Sequence, residues 1–118
     1  MDDRVIVLLS TYNGEKYIAE QIDSILKQSY DNIRLFIRDD GSKDNTAKIL
    51  QGYENNPKIE IVYGENMGFF SSFLWLLNHC DNAGYYAFSD QDDYWYPEKI
   101  EVAVNNLKEK ENKPAVYC

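Results

Sequence analysis

Short β-type runs and stretches of helical spacing alternate along the chain from end to end. Val5 to Ser10 is a continuous β-branched and apolar run, the pattern of a strand covered on both faces. Ile18, Ile22, Ile25 and Leu26 then follow helical spacing. Ile33 to Arg38 alternates apolar and charged residues, with Phe36 on the charged side, and predicts a second strand. Thr46, Ile49, Leu50 and Tyr53 predict a second helix, Pro57 ends it, and Ile59 to Tyr63 predicts a third strand. Phe70, Phe73, Leu74 and Leu77 form a third helical stripe, and Tyr85 to Phe88 reads as a fourth strand. Pro97 suits the first position of a helix, whose buried face is Ile100, Ala103, Val104 and Leu107. After Pro114, the run from Ala115 to Cys118 reads as a fifth strand starting. Strands alternating with helices imply right-handed crossovers. The expected class is therefore α/β: a three-layer, Rossmann-like, mostly parallel sheet with helices on both faces. At 118 residues one domain is expected. Because a sheet does not naturally stop on the first residues of a strand, residues 1–118 are read as part of a larger protein.

Charge narrows the partners. Twelve basic residues against 20 acidic ones give a net charge of −8, the wrong sign for a phosphate-backbone binder, so nucleic acid is not expected. A hydrophobic share of 44% and a charged share of 27% exclude a disordered chain. The longest apolar run, Val5 to Leu9, falls far short of a membrane span, and no signal-type stretch follows the acidic Met1-Asp2-Asp3. Cys80 and Cys118 make neither a disulfide framework nor a metal spacing. A reduced, cytoplasmic chain is the simplest expectation.

In open parallel sheets ligands bind beyond the carboxyl ends of the strands. Four polar clusters stand there: Ser10 to Glu15, Asp39 to Ser42, Gly64 to Gly68, and Ser89 to Asp93. Turn and cap chemistry accounts for any one of them, and Ser42 and Asp44 read first as plain caps. Four together on one edge are harder to explain that way. The first loop lacks both the dinucleotide fingerprint and the glycine-lysine phosphate cradle. A bound phosphate would then need a cation. Asp90-Gln91-Asp92-Asp93 crowds three carboxylates directly after a strand. That is costly unless compensated, and it suits Mg²⁺ or Mn²⁺ bridging Asp92, with Asp90, to a diphosphate. Other Asp-rich patterns fit poorly. Tyr94 stands where a haloacid-dehalogenase phosphatase needs Thr or Val, Asp39-Asp40 follows the second strand and not the first as in response-regulator receivers, and Trp95 occupies the EF-hand glycine position.

Ser10-Thr11-Tyr12-Asn13-Gly14, Asp39-Asp40-Gly41-Ser42 with Asp44-Asn45-Thr46, Asn66 and Gly68, and Asp90 to Trp95 with Pro97-Glu98-Lys99 occur in an order that resembles family 2 glycosyltransferases of the GT-A fold. The likeness covers essentially the whole chain, and the wording of Ser89 to Trp95 is similar to bacterial rhamnosyltransferase-type members. The resemblance implies an inverting, metal-dependent transfer from a UDP- or dTDP-type sugar in bacterial surface polysaccharide synthesis. Thr11, Tyr12 and Glu15 would line the base and ribose, and Asp39 would accept from the base imide. Asp90 would sit near the ribose, Asp92 would bind Mn²⁺ or Mg²⁺, and Asn66 and Gly68 would shape the sugar-diphosphate side. Asn13, Asp40 and Ser89 belong to the same donor-lining set. Phe70-Ser71-Ser72-Phe73 departs from the family's wording after Asn-x-Gly, so no donor-sugar contact is carried over. The catalytic base and the acceptor site, for a saccharide or lipid-linked saccharide, are expected beyond Cys118. Homo-oligomerisation, and membrane association at the inner face for the full-length protein, stay open. Trp95 and Tyr96 are read as packing beneath the metal loop, His79 as a C-terminal helix cap, and Cys80 as buried and inert. The rival readings are a sugar nucleotidyltransferase, which would want a glycine-rich basic first loop, and a nucleotide-binding module without catalysis.

Overall fold

The computed structural model describes residues 4–81, 83–89, 104 and 115–117. Strand β1 (Val5–Thr11) leads to helix α1 (Ile18–Leu26), β2 (Ile33–Asp40), α2 (Thr46–Gln51), β3 (Ile59–Gly64), α3 (Phe69–His79), β4 (Tyr85–Ser89) and β5 (Ala115–Tyr117). The sheet order is β3-β2-β1-β4-β5, and every pairing is parallel. Of the expected fourth helix only Val104 falls among the described residues, and it is helical and buried.

The alternation of β1 explains the three layers. Val5, Val7 and Leu9 point to one face and pack with Ile18, Ile22 and Ile25 of α1 and Leu50 of α2. Ile6 and Leu8 point to the other and pack with Phe36 and with Phe73 and Leu76 of α3. All seven β1 residues are buried, as a central parallel strand requires. Among the described residues no helix is long and apolar enough to cross a membrane.

Helix α3 corrects one expectation. Of the stripe Phe70, Phe73, Leu74 and Leu77 only Phe73 faces the sheet; the buried positions are Ser72, Phe73 and Leu76. Phe70 is 71% exposed and Phe73 7%. The phase is set by polar atoms. Ser72 Oγ lies 2.6 Å from Ser10 Oγ of β1 and accepts from Arg38 Nη1 of β2 at 3.1 Å. Rotating the helix to bury Phe70 and Leu77 would strip Arg38 and Ser10 of that partner. The charged side of β2 is likewise no solvent face at its carboxyl end: Arg38 is 3% exposed.

Candidate functional site

The chain winds outward from β1 through β2 to β3, then crosses back to place β4 on the other flank of β1. The strand order therefore reverses between β1 and β4, and in open parallel sheets the crevice that takes a ligand lies beyond the strands' carboxyl ends at such a reversal. Register puts Thr11, Asp39 and Tyr63 in one row across β1, β2 and β3, with Leu9 opposite Ser89 on β4.

The loops after β1 and β2 are laced together. Asn13 adopts φ 51, a left-handed conformation that asparagine tolerates. Its N–H donates to Ser42 Oγ and its Oδ1 accepts from the Lys43 N–H, both at 2.8 Å. Glu15 donates its N–H to Asp44 Oδ2 at 3.3 Å and accepts from Asn45 Nδ2 at 3.1 Å. Asp44 Oδ1 takes the N–H and hydroxyl of Thr46, an Asx turn that leads into α2 one residue ahead of its cap position Asn45. Burial pushes the Asp44 carboxyl up, but the bonds from Thr46 and Glu15 outweigh it and hold its pKa below the usual value. Asn13 and Glu15, expected to line a nucleotide, are thus engaged in bracing the wall.

The two consecutive aspartates differ. Asp39 Oδ1 accepts the N–H and the hydroxyl of Ser42, and Oδ2 has no partner among the described residues. Beside it in register, the Thr11 hydroxyl is buried and unpartnered. Asp40, one residue on, points to the opposite face. Its Oδ1 accepts Arg38 Nη1 at 2.6 Å and the Met67 N–H at 2.9 Å. Its Oδ2 accepts the Gly68 N–H at 3.1 Å and Asn66 Nδ2 at 3.4 Å. Asn66 Nδ2 also donates to the Asp40 carbonyl at 3.2 Å. The chain passes between these groups only as glycine at position 41: φ is +72 there, and a Cβ would stand 2.6 Å from the Asn66 nitrogen.

The remaining expectations divide as follows. Tyr12 is 38% exposed at the mouth. Ser89, expected among the donor-lining residues, is fully buried, and Gln21 Nε2 donates to its hydroxyl at 2.8 Å. The bond ties the end of β4 to α1. Asp90, Asp92, Trp95 and Tyr96 lie outside the described residues. Among the described residues no group of three or more His, Cys, Asp or Glu could hold a metal. Of the two aspartates that end β2, Asp39 alone keeps an oxygen without a partner among the described residues. His79 closes α3 as expected: Nδ1 lies 2.7 Å from the Trp75 carbonyl and the ring stacks on Trp75 at 3.9 Å. Cys80 is half-buried, not buried, and burial pushes its thiol pKa up, away from reactivity. A cavity of ≈ 280 Å³, lined by Arg4, Arg34 and Lys58 among others, lies at the amino ends of the strands, away from this chemistry.

Sequence reasoning missed Arg38, Ser72 and Trp75. The one available signal was an arginine set directly before two aspartates at the end of an otherwise apolar strand.

Fold and strand-end loops together define a three-layer α/β domain of the GT-A glycosyltransferase type. The chain superimposes on TarS 1-349 of S. aureus with a TM-score of 0.80 and 28% identity, covering 90% of this chain and 32% of that one. TarS has also been solved with UDP and with UDP-GlcNAc. The mannosyltransferase PcManGT from Pyrobaculum calidifontis, solved with GDP-Man and Mn²⁺, gives 0.74 at 25% identity, over 92% of this chain and 34% of that one. The family model for glycosyl transferase family 2 matches residues 6–117, and the chain belongs to that family. It is 38% identical over 115 residues to an uncharacterized glycosyltransferase of Rickettsia typhi, covering 97% of this chain and 35% of the relative. It is 41% identical over 105 residues to the dTDP-rhamnosyl transferase RfbG of Shigella flexneri, covering 84% of this chain and 36% of the relative. The chain thus spans about a third of the length of these relatives.

Proposed function

We propose that these residues form the donor-binding half of an inverting, metal-dependent glycosyltransferase. The donor is a nucleoside-diphosphate sugar of the UDP or dTDP type, and the acceptor a saccharide or lipid-linked saccharide of a bacterial surface polysaccharide. One observation carries the reading. The free Asp39 oxygen and the orphaned, buried Thr11 hydroxyl stand side by side at the crevice. A carboxylate there accepts the imide N–H of uracil or thymine, whereas adenine has no ring N–H to offer in that place, and the smaller pyrimidine is favoured over guanine. Family membership and relatives solved with UDP, UDP-GlcNAc and GDP-Man support a sugar-nucleotide donor. RfbG supports the dTDP type.

Arg38, the buried cation at this edge, is already paired with Asp40. It is not available to meet a departing diphosphate, and this argues for a metal. Asp92, with Asp90, would hold Mn²⁺ or Mg²⁺, and the ion would supply charge neutralisation of the diphosphate. The base that deprotonates the acceptor belongs, on this reading, to a segment outside residues 1–118.

Isothermal titration with UDP, dTDP and GDP, with and without Mn²⁺, tests the proposal. A metal-dependent preference for pyrimidine diphosphates is expected. A preference for triphosphates would replace it with a nucleotidyltransferase, and no binding at all with a non-catalytic module.

A further inference from the structure

The Asp40 carboxylate has about four lone-pair sites, and four donors occupy them: Arg38 Nη1, the Met67 and Gly68 N–H groups, and Asn66 Nδ2. It has no capacity left for a ligand. Arg38 is equally committed. Nη1 also donates to Ser72 Oγ at 3.1 Å, Nη2 donates to the Glu65 carbonyl at 2.9 Å, and the guanidinium carbon sits 5.6 Å from the Trp75 ring centre. Space for the guanidinium exists because position 64 is glycine: a Cβ there would come within 2.2 Å of Arg38 Nη2. The pair is 3% exposed on both sides. Helix α3 has no side-chain cap of its own at Gly68, and the Asp40 carboxylate stands at that end, where the helix dipole favours a negative charge.

We propose that Arg38 and Asp40 are positioning residues. They form a saturated, buried ion pair that fixes the Asn66-Met67-Gly68 turn, and through it the diphosphate-sugar side of the donor site, without touching the nucleotide. Alternation along β2 explains why two adjacent aspartates divide the work. Asp39 faces the Thr11–Ser42 side and reads the base. Asp40 faces α3 and holds the turn. The functional half of this inference rests on the donor reading above; the structural half does not.

Two measurements on the intact protein test it. Amide hydrogen exchange of residues 65–69 is compared with that of β1 in the parent, in Arg38→Met, and in the double variant Arg38→Met/Asp40→Leu. The double variant removes both charges together, so it leaves no unpaired ion to unfold the core. Exchange in 65–69 is expected to rise at least about tenfold while β1 stays within about twofold, the scale of losing charge-assisted hydrogen bonds. Titration with uridine and with UDP-GlcNAc gives the second readout. Uridine binding is expected to hold within about twofold and UDP-GlcNAc binding to fall about tenfold, with partial recovery in Arg38→Lys. Unchanged exchange at 65–69 in the folded double variant would overturn the proposal. So would loss of uridine binding in Asp40→Asn with none in Arg38→Met, since Asp40 would then be a ligand group. A parent that binds no nucleotide would sink the donor reading, and the exchange experiment would still decide the role of the pair.

Discussion

At the scale of single residues, Asp39 has one oxygen tied to Ser42 and one at the crevice, whereas every acceptor site on Asp40 is filled. Asp39→Ala should therefore weaken pyrimidine nucleotide binding by about 1.5–3 kcal/mol, the worth of a hydrogen bond to a charged group. It should also narrow the gap between UDP and ADP, whose base lacks a ring N–H, and calorimetry with both nucleotides measures this; equal losses for the two would mean that Asp39 does not read the base. The Asp39-Asp40-Gly41-Ser42 cluster was visible in the sequence as a strand-end polar loop. The division of labour within it was not. Strand alternation predicts opposite faces, but which partners wait on each face depends on where α3 brings Ser72 and the Asn66 turn, and no local spacing encodes that. Asn13 and Glu15 were found for their position, while their bonds to Lys43 and Asn45 were not foreseen, because these join loops a whole βα unit apart.

Among the elements, α1 follows its sequence periodicity closely, since Ile18, Ile22 and Ile25 are all buried. In α3 hydropathy misleads, because both sides of the helix are apolar and the buried face is chosen by a serine. Phe73→Ala should cost about 3–5 kcal/mol, and Phe70→Ser should stay within about 0.5 kcal/mol. Urea denaturation of both variants checks the phase, and similarly large costs for the two would restore the stripe read from sequence. Tyr53 ties the turn after α2 to α1, donating to Asp23 Oδ1 at 2.9 Å. Burial, with the Asp23 carboxylate beside it, raises its pKa from 10.0 to about 12. The folded value lies above the unfolded one, so this contribution is complete below about pH 10 and is lost as pH climbs toward 12. Stability measured against pH should fall more steeply over that interval in the parent than in Tyr53→Phe.

For the molecule as a whole, the layer order and parallel sheet followed from the alternation of element types, which sums over many residues and tolerates local error. The run of carboxylates from Asp90 to Asp93, the proposed metal loop, is equally plain in the sequence and lies outside the described residues. Asp92→Asn should remove the Mn²⁺ dependence of nucleotide binding and leave the melting temperature unchanged or slightly higher, because one of three crowded charges disappears; titration and thermal melts together report both. Metal-dependent binding identical to that of the parent would move the ion elsewhere.

The place of β4 carries a kinetic consequence. Strands β1, β2 and β3 pair between neighbours in the chain, but Leu9 meets Ser89 only after the whole β2–α3 stretch has been laid down. Contacts of such sequence separation are slow to close. Substitutions at the β1–β2 seam, such as Leu35→Ala, should chiefly slow refolding, while Ala87→Gly on β4 should chiefly speed unfolding; stopped-flow chevrons separate the two. The crevice beside β1 would then come into being last, and a nucleotide held there would act as a latch, lengthening the life of the native state by closing its most late-formed seam.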